Sequence, residues 1–355
     1  EPDMVMVLGE FAGKWEAVCP RGTLRRVLER ADAMGFGVKA AAEYEFFLFD
    51  ETPHSVREKG YRNLKPLTPG FFGYSGIRSS VHADLHLMFL EMCELMDMPV
   101  EGLHTETGPG GWEAAITYSD ALAAADRAAL FKSTMKQLVS RHGLSVTFMA
   151  KWNAELPGSS GHLHQSLFDS TGETNLFHDP KGDGEMSAMM RHYVGGVVKT
   201  APELTALYSP FVNTYKRYVP GVWAPLTPSW GIENRTCAVR VIPGGKGTRV
   251  EYRQTAADLN PYIAMATNLG AGLWGVENAV EPPAETKGDA TADEGAKPLP
   301  LTLEHAVLAL RESETARAIL GEDFVDHYVR TRDWEMRQYR TAVTDWELRR
   351  YFEAV

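Results

Sequence analysis

At 355 residues the chain is two to three times the usual domain length of about 150 residues, and 44% hydrophobic residues with a mean hydropathy of -0.26 supply a core, which excludes disordered, collagen-like and coiled-coil classes. Thirty-six Lys+Arg against 47 Asp+Glu leave a net charge of -11, which excludes a general nucleic-acid binder because phosphate neutralisation needs a cationic face. A local cluster or a bound metal still allows a small anion. Three widely spaced cysteines (Cys19, Cys93, Cys237) form neither a CxxC motif nor a disulfide framework, which points to a reducing cytoplasm.

In chain order, residues 1–8 read as a strand entered mid-domain, so an N-terminal portion is expected before residue 1. Arg21–Met34 has helical periodicity and stops at Gly35. Ala40–Phe49 is an apolar run interrupted only by Glu43, Tyr44 and Glu45, and reads as a strand. Ser79–Met98 is predicted as one helix with Leu85, Met88, Met92 and Met96 as a core stripe. Ser119–His142 is a second, with Ser119 as its cap and Gly143 as its stop. Short strands are predicted over 144–149, 162–168, 236–242 and 248–254. Tyr262–Val280 is the most apolar long stretch, but Asn268, Glu277, Asn278 and three glycines make it a buried helix rather than a bilayer span. Residues 281–300, with four prolines, read as a solvated loop, and helices follow from about Thr302. The irregular alternation predicts an α+β fold with a largely antiparallel sheet.

The chemistry sits at i, i+2 spacing. Glu43 and Glu45, His162 and His164, and the triplet Arg249, Glu251, Arg253 each project to one face of a strand. A solvated sheet face explains any one pair. It fails for Glu43 and Glu45, because Phe46–Phe49 follows immediately and two buried carboxylates need a compensating cation. Glu106 and Glu113 flank the Gly108–Gly111 turn, which folds two short strands back on each other. Five carboxylates and one imidazole without a thiolate suit Mg²⁺ or Mn²⁺. Arg235, Arg240, Lys246, Arg249 and Arg253 add a cationic cluster suited to a phosphoryl group in transfer. The Gly244–Gly247 loop lacks Walker A spacing; it reads either as a plain turn or as a loop presenting Lys246 to phosphate.

Six segments in order, Glu43-Tyr-Glu45-Phe-Phe, His104-Thr-Glu106 leading to Trp112-Glu113, Gly158-Ser-Ser-Gly-His162-Leu-His164-Gln-Ser166, Lys216-Arg217-Tyr-Val-Pro-Gly221, Glu233-Asn-Arg235 and Arg249-Val-Glu251-Tyr-Arg253, resemble the glutamine synthetase family across almost the whole chain. The resemblance implies a curved antiparallel sheet surrounded by helices over residues 21–355, with residues 1–20 as the end of a small N-terminal β-grasp-like domain. It implies Glu45, Glu106 and Glu113 as ligands of one metal and Glu43, His162 and Glu251 as ligands of a second. ATP contacts fall on Glu101, Tyr118, His164, Ser166, Arg240, Lys246 and Arg249. Glutamate contacts fall on Gly158, Arg217, Arg235 and Arg253, and the arginines around the transferred phosphoryl group are Arg235 and Arg240. Stacked six-membered rings, a dodecamer with sites between subunits, are implied as well.

There are departures. Pro157 replaces the family's asparagine before Gly158. The N-terminal loop that reaches a neighbouring site is absent from this sequence, and residues 281–300 hold no tyrosine for nucleotidylation. Trp223 stands where glutamine synthetases proper carry a glutamate that attracts ammonium. The resulting expectation is an ATP- and Mg²⁺- or Mn²⁺-dependent glutamate–amine ligase working through γ-glutamyl phosphate on a primary amine or polyamine, with Trp223 in the acceptor pocket. The alternatives are a glutamine synthetase proper using ammonia, a metallohydrolase, and a non-catalytic relative.

Overall fold

The computed structural model describes residues 5–292 and 297–355. After helix α1 (Pro20–Ala33), strand β1 (Phe36–Phe49) runs fourteen residues through the centre of the sheet. Helices α2 (Pro53–Glu58), α3 (Gly76–Val81) and α4 (Ala83–Leu95) precede the hairpin of β2 (Val100–Thr105) and β3 (Gly111–Ile116). Next come β4 (Ser119–Asp120), α5 (Ala121–Arg141), β5 (Ser145–Thr147) and β6 (Leu163–Asp169). Helix α6 (Ala188–Tyr208), strands β7 (Trp230–Ile232), β8 (Val239–Ile242) and β9 (Arg249–Tyr252), and helix α7 (Pro261–Glu277) complete the core. Four helices close the chain: α8 (Leu303–Glu312), α9 (Glu314–Leu320), α10 (Glu322–Arg340) and α11 (Asp345–Tyr351).

The sheet order is β2-β3-β1-β6-β9-β8-β7, with β4 and β5 also paired to β1. Every pair is antiparallel except β7–β8. This is the open, curved α+β sheet surrounded by helices that the sequence predicts. Along β1, Tyr44 and Phe46 are buried on one face, where Phe131 of α5 and Phe148 pack against them with ring centroids 5.4–6.2 Å apart. Glu43 and Glu45 alternate to the other face.

Several boundaries differ from expectation. Val5–Leu8 is exposed without a ladder partner among the described residues, so the predicted strand is not formed there; residues 1–4 lie outside the described residues. The predicted 79–98 helix breaks at His82 (φ -111°, ψ 28°). In the shorter α4, Phe89, Met92 and Cys93 are buried, while Leu85, Met88 and Met96 pack partly buried against the core. Ser119 is not a cap but half of β4, and α5 starts after Asp120. The predicted 236–242 strand starts only at Val239, because Asn234 holds Thr236 in a side-chain turn (N to Oδ1, 3.0 Å). Of the 281–300 loop, residues 293–296 lie outside the described residues.

Helix α6 escaped the sequence reading because Gly195-Gly196 and Pro202 interrupt its helical signal. Gly196 lets it press against α7, and Gly195 against the chain at Val280. A Cβ on Gly196 would meet the Ala271 carbonyl and come within 2.6 Å of Gly275 Cα. Backbone cannot yield as a side chain can, so Gly196→Ala is expected to destabilise by about 1–3 kcal/mol or more. A denaturant midpoint equal to that of the parent would contradict this packing.

Candidate active site

The strand registers assemble one polar row across the sheet. Glu45 pairs with Glu113, which pairs in turn with His104 on β2. Glu43 N–H donates to the His162 carbonyl, His164 pairs with Glu251, and Glu251 pairs with Arg240. Residues on six strands therefore meet on one face because each obeys the same two-residue period.

At the centre, His162 Nδ1 lies 2.9 Å from Glu43 Oε1 and 3.5 Å from Glu251 Oε1. His164 Nε2 lies 3.1 Å from the same Glu43 oxygen, and Arg249 Nε donates to His164 Nδ1 at 3.2 Å. Glu251 is 1% exposed and held by Arg253 and by Arg240 (Nη1 to Oε2, 3.0 Å). Burial alone would raise the Glu43 carboxyl, but electrostatic attraction to His164 and the hydrogen bonds from His162 and His164 outweigh it and hold it well below the ordinary carboxylate range. Glu251 is lowered in the same way, with burial outweighed by His162, Arg253 and His164.

A second cluster adjoins it. His104 Nε2 lies 3.4 Å from Glu113 Oε2, and its Nδ1 lies 3.9 Å from Glu106 Oε2. Burial, then the charges of Glu43, Glu45 and Glu106, push the Glu113 carboxyl up to about 9. That is the signature of more carboxylates than the local cations can compensate.

Three groups here bring ligand atoms within 4.8 Å of one another: Glu43, Glu113 and His162; Glu43, His164 and Glu251; His104, Glu106 and Glu113. His162 Nε2 and Glu106 Oε2 are buried without a hydrogen-bond partner. Orphaned buried acceptors amid surplus negative charge fit a bound divalent cation. Of the predicted metal residues, Glu43, Glu106, Glu113, His162 and Glu251 join these groups. Glu45 is instead engaged by the Ser160 N–H (2.7 Å). His104 is a further member that no sequence assignment includes; its i, i+2 spacing to Glu106 is the signal that places it on the same face.

Beyond Glu43 opens a cavity of about 460 Å³. Glu101, Tyr118, His164, Ser166, Lys246 and Arg249, six of the seven residues expected to contact ATP, line it. Lys246 lines it from the 3₁₀ turn Gly245–Gly247. Arg240, the seventh, instead bridges Glu233 (Nε to Oε2, 2.9 Å) and Glu251.

The remaining candidates are distributed differently. Arg217 is buried, donating to Ser160 Oγ (2.9 Å) and the Gln254 carbonyl (3.1 Å). Gly158 packs directly on it: a Cβ there would come within 2.9 Å of Arg217 Cγ. Arg253 Nε donates to the Arg235 carbonyl (2.9 Å), and the Arg235 side chain is exposed. Trp223 is 61% exposed at φ 55° on the loop after the Thr214–Arg217 turn, and it does not line the cavity.

Residues 17–351 match the glutamine synthetase catalytic-domain profile. The type-1 glutamine synthetase 2 of Dictyostelium discoideum is 41% identical over 97% of this chain and 67% of its own length. A glutamate–isopropylamine ligase from a Pseudomonas species is 38% identical over 91% of this chain and 71% of its length. The gamma-glutamylethanolamide synthetase of Streptomyces coelicolor is 38% identical over 94% and 71%. Among solved structures, ligand-free GmaS superposes with a TM-score of 0.85 at 31% identity, covering 95% of this chain and 77% of that one. The GmaS/ADP complex gives 0.86, covering 95% and 78%. Among the described residues no helix is long and apolar enough to cross a membrane. The profile match over nearly the whole chain and these relatives establish that the chain belongs to the glutamine synthetase family, whose members are ATP-dependent glutamate ligases that form carbon–nitrogen bonds.

Proposed function

We propose that this chain is an ATP-dependent glutamate–amine ligase that works through γ-glutamyl phosphate and takes a primary amine or polyamine as acceptor. The observation that carries the reading is the meeting of both carboxylate clusters at Glu43, at the inner end of a cavity lined by Lys246, Arg249 and Tyr118. A glutamate γ-carboxylate oxygen attacks the γ-phosphorus, the bond to the bridging oxygen breaks, and ADP leaves. The amine nitrogen then attacks the acyl carbon, phosphate leaves with the bonding pair, and the nitrogen gives up a proton.

In this reading Glu45, Glu106 and Glu113 would hold one Mg²⁺ or Mn²⁺ and Glu43, His162 and Glu251 a second, and the bound metal would supply neutralisation of charge on the phosphates. Arg235 and Arg240 stabilise the transferred phosphoryl group, and Gly158, Arg217, Arg235 and Arg253 form the glutamate pocket. Residues 21–355 are the catalytic domain, residues 1–20 end a small N-terminal one, and the assembly is a dodecamer with sites between subunits.

The acceptor reading rests on Trp223 and is consistent with amine ligases among the relatives. A carboxylate about 4 Å from ammonium contributes up to ~4 kcal/mol at an effective dielectric of 20. An indole face returns ~0.5–2 kcal/mol. An amine with three methylenes against the ring recovers about 2.4 kcal/mol, close to sixtyfold. The test compares kcat/KM for ammonium with values for alkyl amines and diamines at saturating ATP and glutamate. The amines are expected to win, and Trp223→Glu to shift preference toward ammonium. Ammonium as best acceptor of the parent enzyme sinks this reading in favour of a glutamine synthetase proper.

A further inference from the structure

At the mouth of the nucleotide cavity the lining residue Lys39 is ion-paired with Asp120, which lies outside the lining, and the family resemblance assigns neither a role. Lys39, Ala41, Glu43 and Glu45 alternate onto one face of β1. Lys39 therefore lies four residues, about 13 Å along an extended strand, from the carboxylate cluster. That separation places it at the nucleobase end of a nucleotide whose phosphates lie at Glu43. Its register neighbours are Asp120 on β4 and Ser166 on β6, and Lys39 and Ser166 both line the cavity with Tyr118. Lys39 Nζ donates to Asp120 Oδ1 at 2.7 Å.

The register of β1 and β4 sets these two side chains opposite each other, while the helix start leaves Asp120 without its usual local partner. Asp120 occupies the N-cap position of α5, where an aspartate normally accepts a backbone N–H of the first turn. It makes no such bond and points instead across the strand to Lys39. The Asp120 side chain is 80% exposed, so the pair adds little stability and opens at little cost. Held by neither a cap nor burial, both groups are available to a ligand at the cavity mouth.

We infer that Lys39 and Asp120 read the edge of the nucleobase: Asp120 accepts from the exocyclic 6-amino group of adenine while Lys39 donates to the adjacent ring nitrogen. Adenine presents a donor beside an acceptor on that edge, the complement of a carboxylate beside an ammonium. A 6-oxo purine puts an acceptor against Asp120. Tyr118, 61% exposed at the same mouth, offers a face on which the base stacks.

The inference rests on the ATP-site reading above, and the experiment separates the two. Steady-state kcat/KM is measured with ATP and with ITP, which differs only at the base, for the full chain with glutamate and its best amine. ATP is expected to be favoured about ten- to hundredfold, the range for hydrogen bonds to charged groups. Lys39→Met and Asp120→Ser, the latter retaining a capping residue for α5, are each expected to bring the ratio below about threefold. A parent ratio near one overturns the inference without any variant. So does a parent ratio that persists in both variants, or a fall in ATP and ITP turnover by one common factor, which a merely structural pair would produce. Absence of any nucleotide-dependent turnover in the parent would instead overturn the ligase reading itself.

Discussion

Exhaustive chelation is expected to abolish activity and to make the folding stability of this protein fall as pH rises from about 5 to 8, with Mg²⁺ or Mn²⁺ restoring activity and flattening the pH dependence. The sign follows from Glu113. Its folded-state value of about 9 lies above the ordinary carboxyl value of 4.5. Between those values the folded chain therefore holds a proton that the unfolded chain has released. Stability from this group is fully present below pH 4.5 and is lost as pH rises toward 9, by at most about 1.4 kcal/mol per pH unit.

Glu43 and Glu251 are shifted down, so their contribution is lost only below the ordinary carboxyl range and leaves the neutral window untouched. A divalent cation held by this cluster would take the place of the Glu113 proton and stabilise the folded state by mass action. Thermal melts in chelator and in metal across this range decide the matter. A chelated protein with full activity, or with a melting temperature independent of pH, would contradict the assignment. His162→Ala and Glu251→Gln are expected to reduce activity by more than about a hundredfold, since even partners that only orient metal ligands are worth ten- to hundredfold.

The second large effect is on stability. Glu251 is 1% exposed and shared among Arg253, Arg240 and His162. Removing one partner from a buried ion pair typically costs about 3–5 kcal/mol because the remaining charge stays buried. Arg240 remains in Arg253→Met, so about 3 kcal/mol is expected. Adding Glu251→Gln removes the stranded charge and should return much of that loss, giving a coupling energy above about 1 kcal/mol in a double-mutant cycle. Equal denaturant midpoints for Arg253→Met and the parent would show that the arginine does not compensate Glu251.

What the sequence determined by itself was every feature encoded in local period. Alternation along Ala40–Phe49 separates Tyr44 and Phe46 from Glu43 and Glu45, and the structure keeps that division. The i, i+2 pairs on β6 and β9, the Gly108–Gly111 reversal and the six ordered motifs were likewise legible, and with them the family. Spacing within one strand says which face a side chain takes, but nothing about which strand lies beside it. Register did that: it set Glu113 between Glu45 and His104, joined the two carboxylate groups at Glu43, and brought Lys39 against Asp120.

Tertiary contact also overrode local propensity in three places. It formed α6 around Gly195-Gly196 and Pro202 because α7 buries it, and it drew Ser119 and Asp120 into a ladder instead of a helix cap. Trp223, whose identity alone suggested the acceptor pocket, stands exposed at positive φ on its loop. Side-chain identity is a property of the chain, whereas the position of a loop is decided by what packs against it.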